Sequence, residues 1–206
     1  MDPNEEIDML LGLLQRGRDT LVWKLEGLSE FDARRPITPT GTNLLGLVKH
    51  VAAVEYGYLT ECFGRDAGLH QPWIDEDAPD NTDMWATADE SREWIVSYYQ
   101  SVQVADDAAA HELGLDARGT VPWWGDRGKD VTMRRLIVHM IAETNRHAGH
   151  ADIVRELIDG SVGFLPGIGN MPTGDEQWWS EYTEQVEAAA REAAARETAA
   201  EGDPHA

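Results

Sequence analysis

The stretch Met133–Gly160, MRRLIVHMIAETNRHAGHADIVRELIDG, reads as one long helix with metal-ligand side chains where a bundle would bury its core. At about 100° per residue, Leu136, Met140, Ala151, Val154 and Ile158 fall in one narrow stripe. Glu143 and His147 lie in the middle of that stripe, and their spacing of four projects both from successive turns onto the same side. A carboxylate in a core has to be compensated, because an unpaired buried charge costs several kcal/mol. A divalent cation would do this; so would a Glu143–His147 pair alone, or Glu143 paired with Arg146 or His139. His139 and His150 lie near the edge of the stripe, about a sixth to a quarter of a turn from His147, which suits groups that brace ligands or line a cavity wall.

With 206 residues, the chain is long enough for one domain with a substantial core. Its 17 basic residues stand against 38 acidic ones, and a net charge of -21 repels phosphate backbones and anionic lipid, so neither nucleic acid nor membrane is an expected partner. The single cysteine, Cys62, excludes an internal disulfide framework and fits a reducing, cytoplasmic setting. The opening MDPNEEIDMLLGLLQRGRD carries acids where a signal peptide carries bases. No apolar run approaches the roughly 20 residues that a membrane-spanning helix needs.

Outward from the organising helix, periodicity predicts a first helix from Asn4 to Leu28, striped by Ile7, Leu10, Leu11, Leu14, Leu21, Val22 and Leu25. A turn follows at Ser29–Asp32, and Pro36 and Pro39 stop it from continuing as helix. Asn43 caps a second helix that runs to Phe63 and stops at Gly64, with Leu44, Leu47, Val48, Val51, Tyr58 and Cys62 as its buried stripe. His50 lies on the flank of that stripe. Taken alone it reads as a satisfied structural histidine, but beside Glu143 and His147 it is the natural third donor.

Residues 65–86 change to Asp, Pro, Gly and Trp and read as a long loop over one end of the bundle. Thr87 and Glu90 have capping-box spacing and open a third helix to Leu113. A second loop, 114–130, holds Pro122, Trp123, Trp124 and Gly125 as a small turn or hairpin, and Thr132 then caps the organising helix. Beyond Gly160, a Gly- and Pro-rich segment forbids regular structure and lacks the GK[ST] ending of a phosphate loop. The expected organisation is an all-α four-helix bundle with crossover loops over residues 1–174, and an extra C-terminal helix and tail over 175–206. That last helix, rich in alanine and in Glu–Arg pairs, is placed to project or to meet a partner subunit in a homodimer.

NLLGLVKHVAAVEYGYL around His50 and HMIAETNRHAGHADIVRELIDG around Glu143 and His147 resemble the DinB-like superfamily of four-helix metalloenzymes. In that superfamily a histidine on the second helix joins two donors spaced by four on the final bundle helix. A carboxylate at the first of those positions, and His150 where glutamine often stands, make the chain similar to the branch containing mycothiol-dependent maleylpyruvate isomerase. The resemblance covers roughly residues 5–180. It implies His50, Glu143 and His147 as ligands of a divalent metal, with zinc foremost and nickel or iron also suited to two imidazoles and a carboxylate.

It further implies that a low-molecular-weight thiol, mycothiol or similar, is joined to a small electrophile, or serves as cosubstrate in an isomerisation. Cys62 falls in a buried stripe, so the thiol is expected to arrive from outside. His150 or His139 would accept its proton, or else pack as polar core groups. Arg146 and Arg155 would meet a substrate carboxylate or pair at the surface, and Tyr58 would donate to an oxyanion or simply pack. A metal-dependent hydrolase and a non-catalytic metal-binding bundle are the alternatives, distinguished by product formation without thiol and by binding without turnover.

Overall fold

Asn43 opens a helix that is buried on almost every side, and the other helices are arranged around it. In the computed structural model, which describes residues 2–75, 77–169 and 171–201, the helices are α1 (Pro3–Trp23), α2 (Glu30–Arg34), α3 (Leu44–Leu59), α4 (Arg92–Leu113), α5 (Met133–Asp159) and α6 (Glu176–Glu201). A short antiparallel pair, β1 (Arg118–Gly119) and β2 (Val131–Thr132), closes the loop before α5, with Arg118 opposite Thr132. The architecture is all-α, as periodicity predicts. The chain divides into two compact units, Met1–Gly169 and Asn170–Ala206.

Within the first unit α3 packs against α4 and α5, and α1 packs against α5. Leu45, Val48, Ala52 and Tyr56 of α3 share one apolar cluster with Leu21, Tyr99, Val102 and Ala151. A second cluster joins Ile7, Leu11 and Leu14 to Leu59, Leu136, Ile137 and Met140. Asn43 accepts the Gly46 N–H at 2.8 Å, Thr132 accepts the Arg135 N–H at 3.2 Å, and Gly160 ends α5 in the left-handed region at φ 77°. In the second unit the i,i+4 pairs Glu187–Arg191 and Glu192–Arg196 form at 2.6 and 2.5 Å, and the Trp178 and Tyr182 rings stack.

Three boundaries differ from the sequence reading, one of them at the end of α3, which stops at Leu59 and is followed by a separate 3-10 turn at Glu61–Phe63 before Gly64. The first helix gives way at Lys24–Gly27, where Gly27 takes φ 74°, and Ser29 then caps the short helix α2 rather than a bare turn. The Thr87 N–H does reach the Glu90 carboxylate at 2.7 Å. That carboxylate also pairs with buried Lys49 at 2.9 Å, and the helix starts later, with Ser91 accepting the Trp94 N–H at 3.1 Å.

The bundle interior is also more charged than its stripes suggest. Arg18 and Glu55 are both fully buried, and the Arg18 Nε and Nη2 donate to one Glu55 oxygen at 2.8 and 2.5 Å. Tyr99 donates to the other at 3.2 Å. Nearby, Asp106 is fully buried and accepts the Thr60 hydroxyl at 2.6 Å, while its Oδ2 meets no donor. Burial, and after it the charge on Glu55, pushes the Asp106 carboxyl well above the usual aspartate range. The Arg18 guanidinium is already engaged by Glu55 and, at 2.9 Å, by Asp107, so among the described residues no cation contacts Asp106, and its carboxyl keeps its proton to higher pH than in the unfolded chain, which releases it above about pH 4. Stability from this site is therefore fully present at low pH and is lost as pH rises toward the raised native value. Denaturant unfolding should show Asp106→Asn as stable as the parent or more so at neutral pH, with the difference growing as pH rises from about 4. Glu55→Ala, which leaves buried Arg18 with only the half-exposed Asp107 as carboxylate partner, should lose about 3–5 kcal/mol, and an equal loss in Asp106→Asn would rule out the proton.

Candidate functional site

Every residue of α3 is buried except His50 and Val54. These two lie one turn apart, and a further turn along the same face stands Tyr58. Facing them, α5 presents His139, Glu143 and His147, again at steps of four. The two series meet rung by rung. The His50 and His147 ring centroids are 4.9 Å apart and edge to face, and those of Tyr58 and His139 are 4.8 Å apart.

Glu143 and His147 do not occupy the middle of the buried stripe. That position belongs to Met140, Thr144, Ala148, Ala151 and Val154, because the small Thr144 side chain is buried despite its polarity. Glu143 and His147 form the lip instead, with side chains 33% and 13% exposed, and the Glu143 Oε2 lies 4.0 Å from the His147 Nε2, beyond hydrogen-bond reach. Burial, followed by the nearby His50, His150 and Arg146 charges, lowers the His147 pKa to about 4. His147 is thus a neutral imidazole at physiological pH, and its Nδ1 is buried without a partner. His150 is exposed, 5.4 Å from His147 between ring centroids.

Asp83 was not legible in the sequence and completes the arrangement. Its Oδ2 lies 2.5 Å from the His50 Nδ1, which leaves Nε2 for a ligand. Burial raises the Asp83 carboxyl, but the hydrogen bond and charge of His50 outweigh it, and the pKa settles below the usual range. The Thr82–Met84 turn and the Trp85 that follows it are pinned to α3 by three hydrogen bonds from two side chains. The Asn43 amide reaches the Met84 carbonyl at 3.0 Å, and the Lys49 ammonium reaches the Thr82 and Trp85 carbonyls at 3.1 and 3.0 Å. Gly46 permits this approach, since a Cβ there would run into the Met84 carbonyl.

Among the described residues, no three His, Cys, Asp or Glu side chains stand in ligating geometry. The donor chemistry of His50, Glu143 and His147 nonetheless fits a divalent ion: one imidazole held by a carboxylate at its far nitrogen, one neutral imidazole with an unpaired buried nitrogen, and a carboxylate without a close partner. The other sequence candidates separate from this group. His139 lies between Tyr58 and Trp124, and burial lowers its pKa against the opposing Glu143 charge. Arg155 ties α5 to the end of α1, pairing with Asp159 at 2.8 Å and donating to the Lys24 and Glu26 carbonyls at 2.9 Å. Cys62 is buried, and desolvation pushes its thiol up to about 12, so it supplies no thiolate near neutral pH.

A family model described as mycothiol-S-transferase matches residues 9–160. The chain belongs to the mycothiol-S-transferase family. The matched span takes in α1 from Met9 onward, the whole of α2 to α5, and each of His50, Asp83, Glu143, His147 and His150. Comparison with curated proteins finds no match. Membership makes the chain a thiol-dependent transferase acting on small molecules, with the DinB-like helical fold. Among its described residues no helix is long and apolar enough to cross a membrane.

Two outcomes follow for this transferase. In an NMR titration the His147 ring should remain neutral down to about pH 5 and titrate near 4; a midpoint above about 6 contradicts the burial described. Gly46→Ala should push the Thr82–Met84 turn off α3, freeing the His50 Nδ1 and costing about 1–3 kcal/mol of stability by overpacking, measurable by thermal unfolding.

Proposed function

We propose that this transferase joins a low-molecular-weight thiol of the mycothiol type to a small electrophile, at a divalent metal held by His50, Glu143 and His147. The observation that carries this reading is the convergence, on the one unburied strip of α3, of two imidazoles 4.9 Å apart with a carboxylate beside them. Zinc suits a thiolate best among the ions these donors accept, with nickel and iron as other candidates. Such an ion would lower the pKa of a bound thiol and hold it as thiolate near neutral pH.

The chain's own residues divide the remaining work. Asp83 keeps the proton on the His50 Nδ1 and fixes the ring, and His147 stays neutral because it is buried. His150, exposed at the rim beside His147, accepts the proton that the thiol gives up. The thiol enters as a cosubstrate, in a cytoplasmic setting; the burial of Cys62, which pushes its thiol up to about 12, supports an external nucleophile. Thiol-dependent isomerisation would use the same groups.

Metal content of untagged protein, purified without added metal, tests the reading. Mass spectrometry should find near-stoichiometric ion in the parent and none in Glu143→Ala or His147→Ala. Asp83→Asn should bind the ion about 10- to 100-fold more weakly. Consumption of mycothiol with an electrophile should follow ion content across the series. A parent protein that takes up no ion after reloading overturns the metal assignment, and product formed without thiol would instead mark a hydrolase.

A further inference from the structure

Beyond the metal donors, the second rung of the site contains a phenol in an unusual setting. The Tyr58 oxygen accepts the indole N–H of Trp123 at 2.8 Å and that of Trp124 at 3.0 Å. A phenol oxygen has two acceptor positions and one proton. Both acceptor positions are taken, so the proton is all that Tyr58 has left to offer. Among the described residues that O–H meets no acceptor, although the side chain is only 7% exposed.

The two indoles are held in place. Both lie in the tight segment Pro122–Gly128, closed by a hydrogen bond from the Val121 N–H to the Gly128 carbonyl at 2.9 Å. Gly125 takes φ 58° there, and a Cβ on Gly128 would strike the Val121 carbonyl. The Trp123 ring passes over α3 at Gly57 and remains 58% exposed, and the Arg135 guanidinium lies 5.2 Å from the centroid of the Trp124 ring. This rung stands one turn, about 6 Å, along α5 from Glu143, and two turns, about 12 Å, along α3 from His50. A small conjugated electrophile with its oxygen at Tyr58 would extend toward Glu143 along this face.

We propose that Tyr58, its oxygen saturated by the Trp123 and Trp124 indoles, is a catalytic hydrogen-bond donor to the carbonyl oxygen of a conjugated electrophile. The inference rests on the thiol-transfer reading for the identity of the nucleophile. When a thiolate adds to an enone, the sulfur–carbon bond forms as the carbon–carbon π bond breaks, and the electron pair moves to the carbonyl oxygen as an enolate. The carbon then takes up a proton, matching the one released by the thiol, so no oxidant or reductant is required. Tyr58 stabilises the oxygen on which that charge develops, and Trp123 and Trp124 position Tyr58.

The test compares two electrophiles with mycothiol as the thiol. Cyclohexenone places developing charge on an oxygen, whereas benzyl chloride sends it away with chloride. Tyr58→Phe should lower kcat/KM for cyclohexenone by about 100-fold and shift the ratio of the two activities at least about tenfold toward benzyl chloride. A merely structural role would lower both alike. Binding of cyclohexanone, which cannot react, supplies a readout independent of turnover: it should shift the Trp123 and Trp124 indole N–H resonances in the parent and bind about tenfold more weakly to Tyr58→Phe. If that variant does not fold, Trp123→Phe, which keeps the phenol and loses one of its two donors, should bind cyclohexanone several-fold more weakly. Equal loss with both electrophiles, or cyclohexanone binding unchanged by these substitutions, overturns the proposal. If neither electrophile consumes thiol with the parent protein, the thiol-transfer reading fails, and the cyclohexanone titration alone decides the role of Tyr58.

Discussion

The burial of α3 is the constraint on which the rest of the molecule depends. A helix covered on almost every side must be apolar or must neutralise what it carries, and α3 carries Lys49, His50 and Glu55. Lys49 and His50 are met by the loop before α4, and Glu55 by α1. Lys49 is met by Glu90 and the loop carbonyls, Glu55 by Arg18 of α1, and His50 by Asp83. The long loop between α3 and α4 is ordered against the helix because it completes these pairings, and that order delivers Asp83 to the imidazole.

The same accounting explains the electrostatic character of the site. In a chain with a net charge of -21, histidines would be expected to favour their protonated forms. His147 does the opposite, because burial and neighbouring imidazoles outweigh the distant acidic field, which solvent screens. His70 shows the contrast. It lies exposed between Glu61 and Asp75, and its pKa is raised, chiefly by the hydrogen bond to Glu61. Position in the bundle, rather than overall charge, lowers the pKa of His147 and raises that of His70.

Much of this was legible in the sequence. The long helix from Met133, its Thr132 cap and its Gly160 stop follow from local rules, and so do the spacing of Glu143 and His147 and the flank position of His50. The boundary at Ser91 was not legible, because Glu90 turns toward a lysine forty-one residues earlier in the chain. Thr144 and Ala148, rather than Glu143 and His147, turned out to hold the buried line, since a polarity stripe cannot distinguish a small hydroxyl that fits a core from a carboxylate that belongs at its edge. The Arg18–Glu55 pair is likewise not legible, because each residue looks like an ordinary surface charge until the helices are brought together.

By itself the sequence determined that the chain is a helical bundle and which residue types line one face of α3 and α5, because helical periodicity is local and needs only a few turns to express itself. The tertiary structure alone decided which partner each of those residues meets: Asp83 on His50, two indoles on Tyr58, an unpaired nitrogen on His147. Those partners come from loops whose paths depend on contacts far apart in sequence. No periodicity encodes which atom of a side chain a distant loop will leave free.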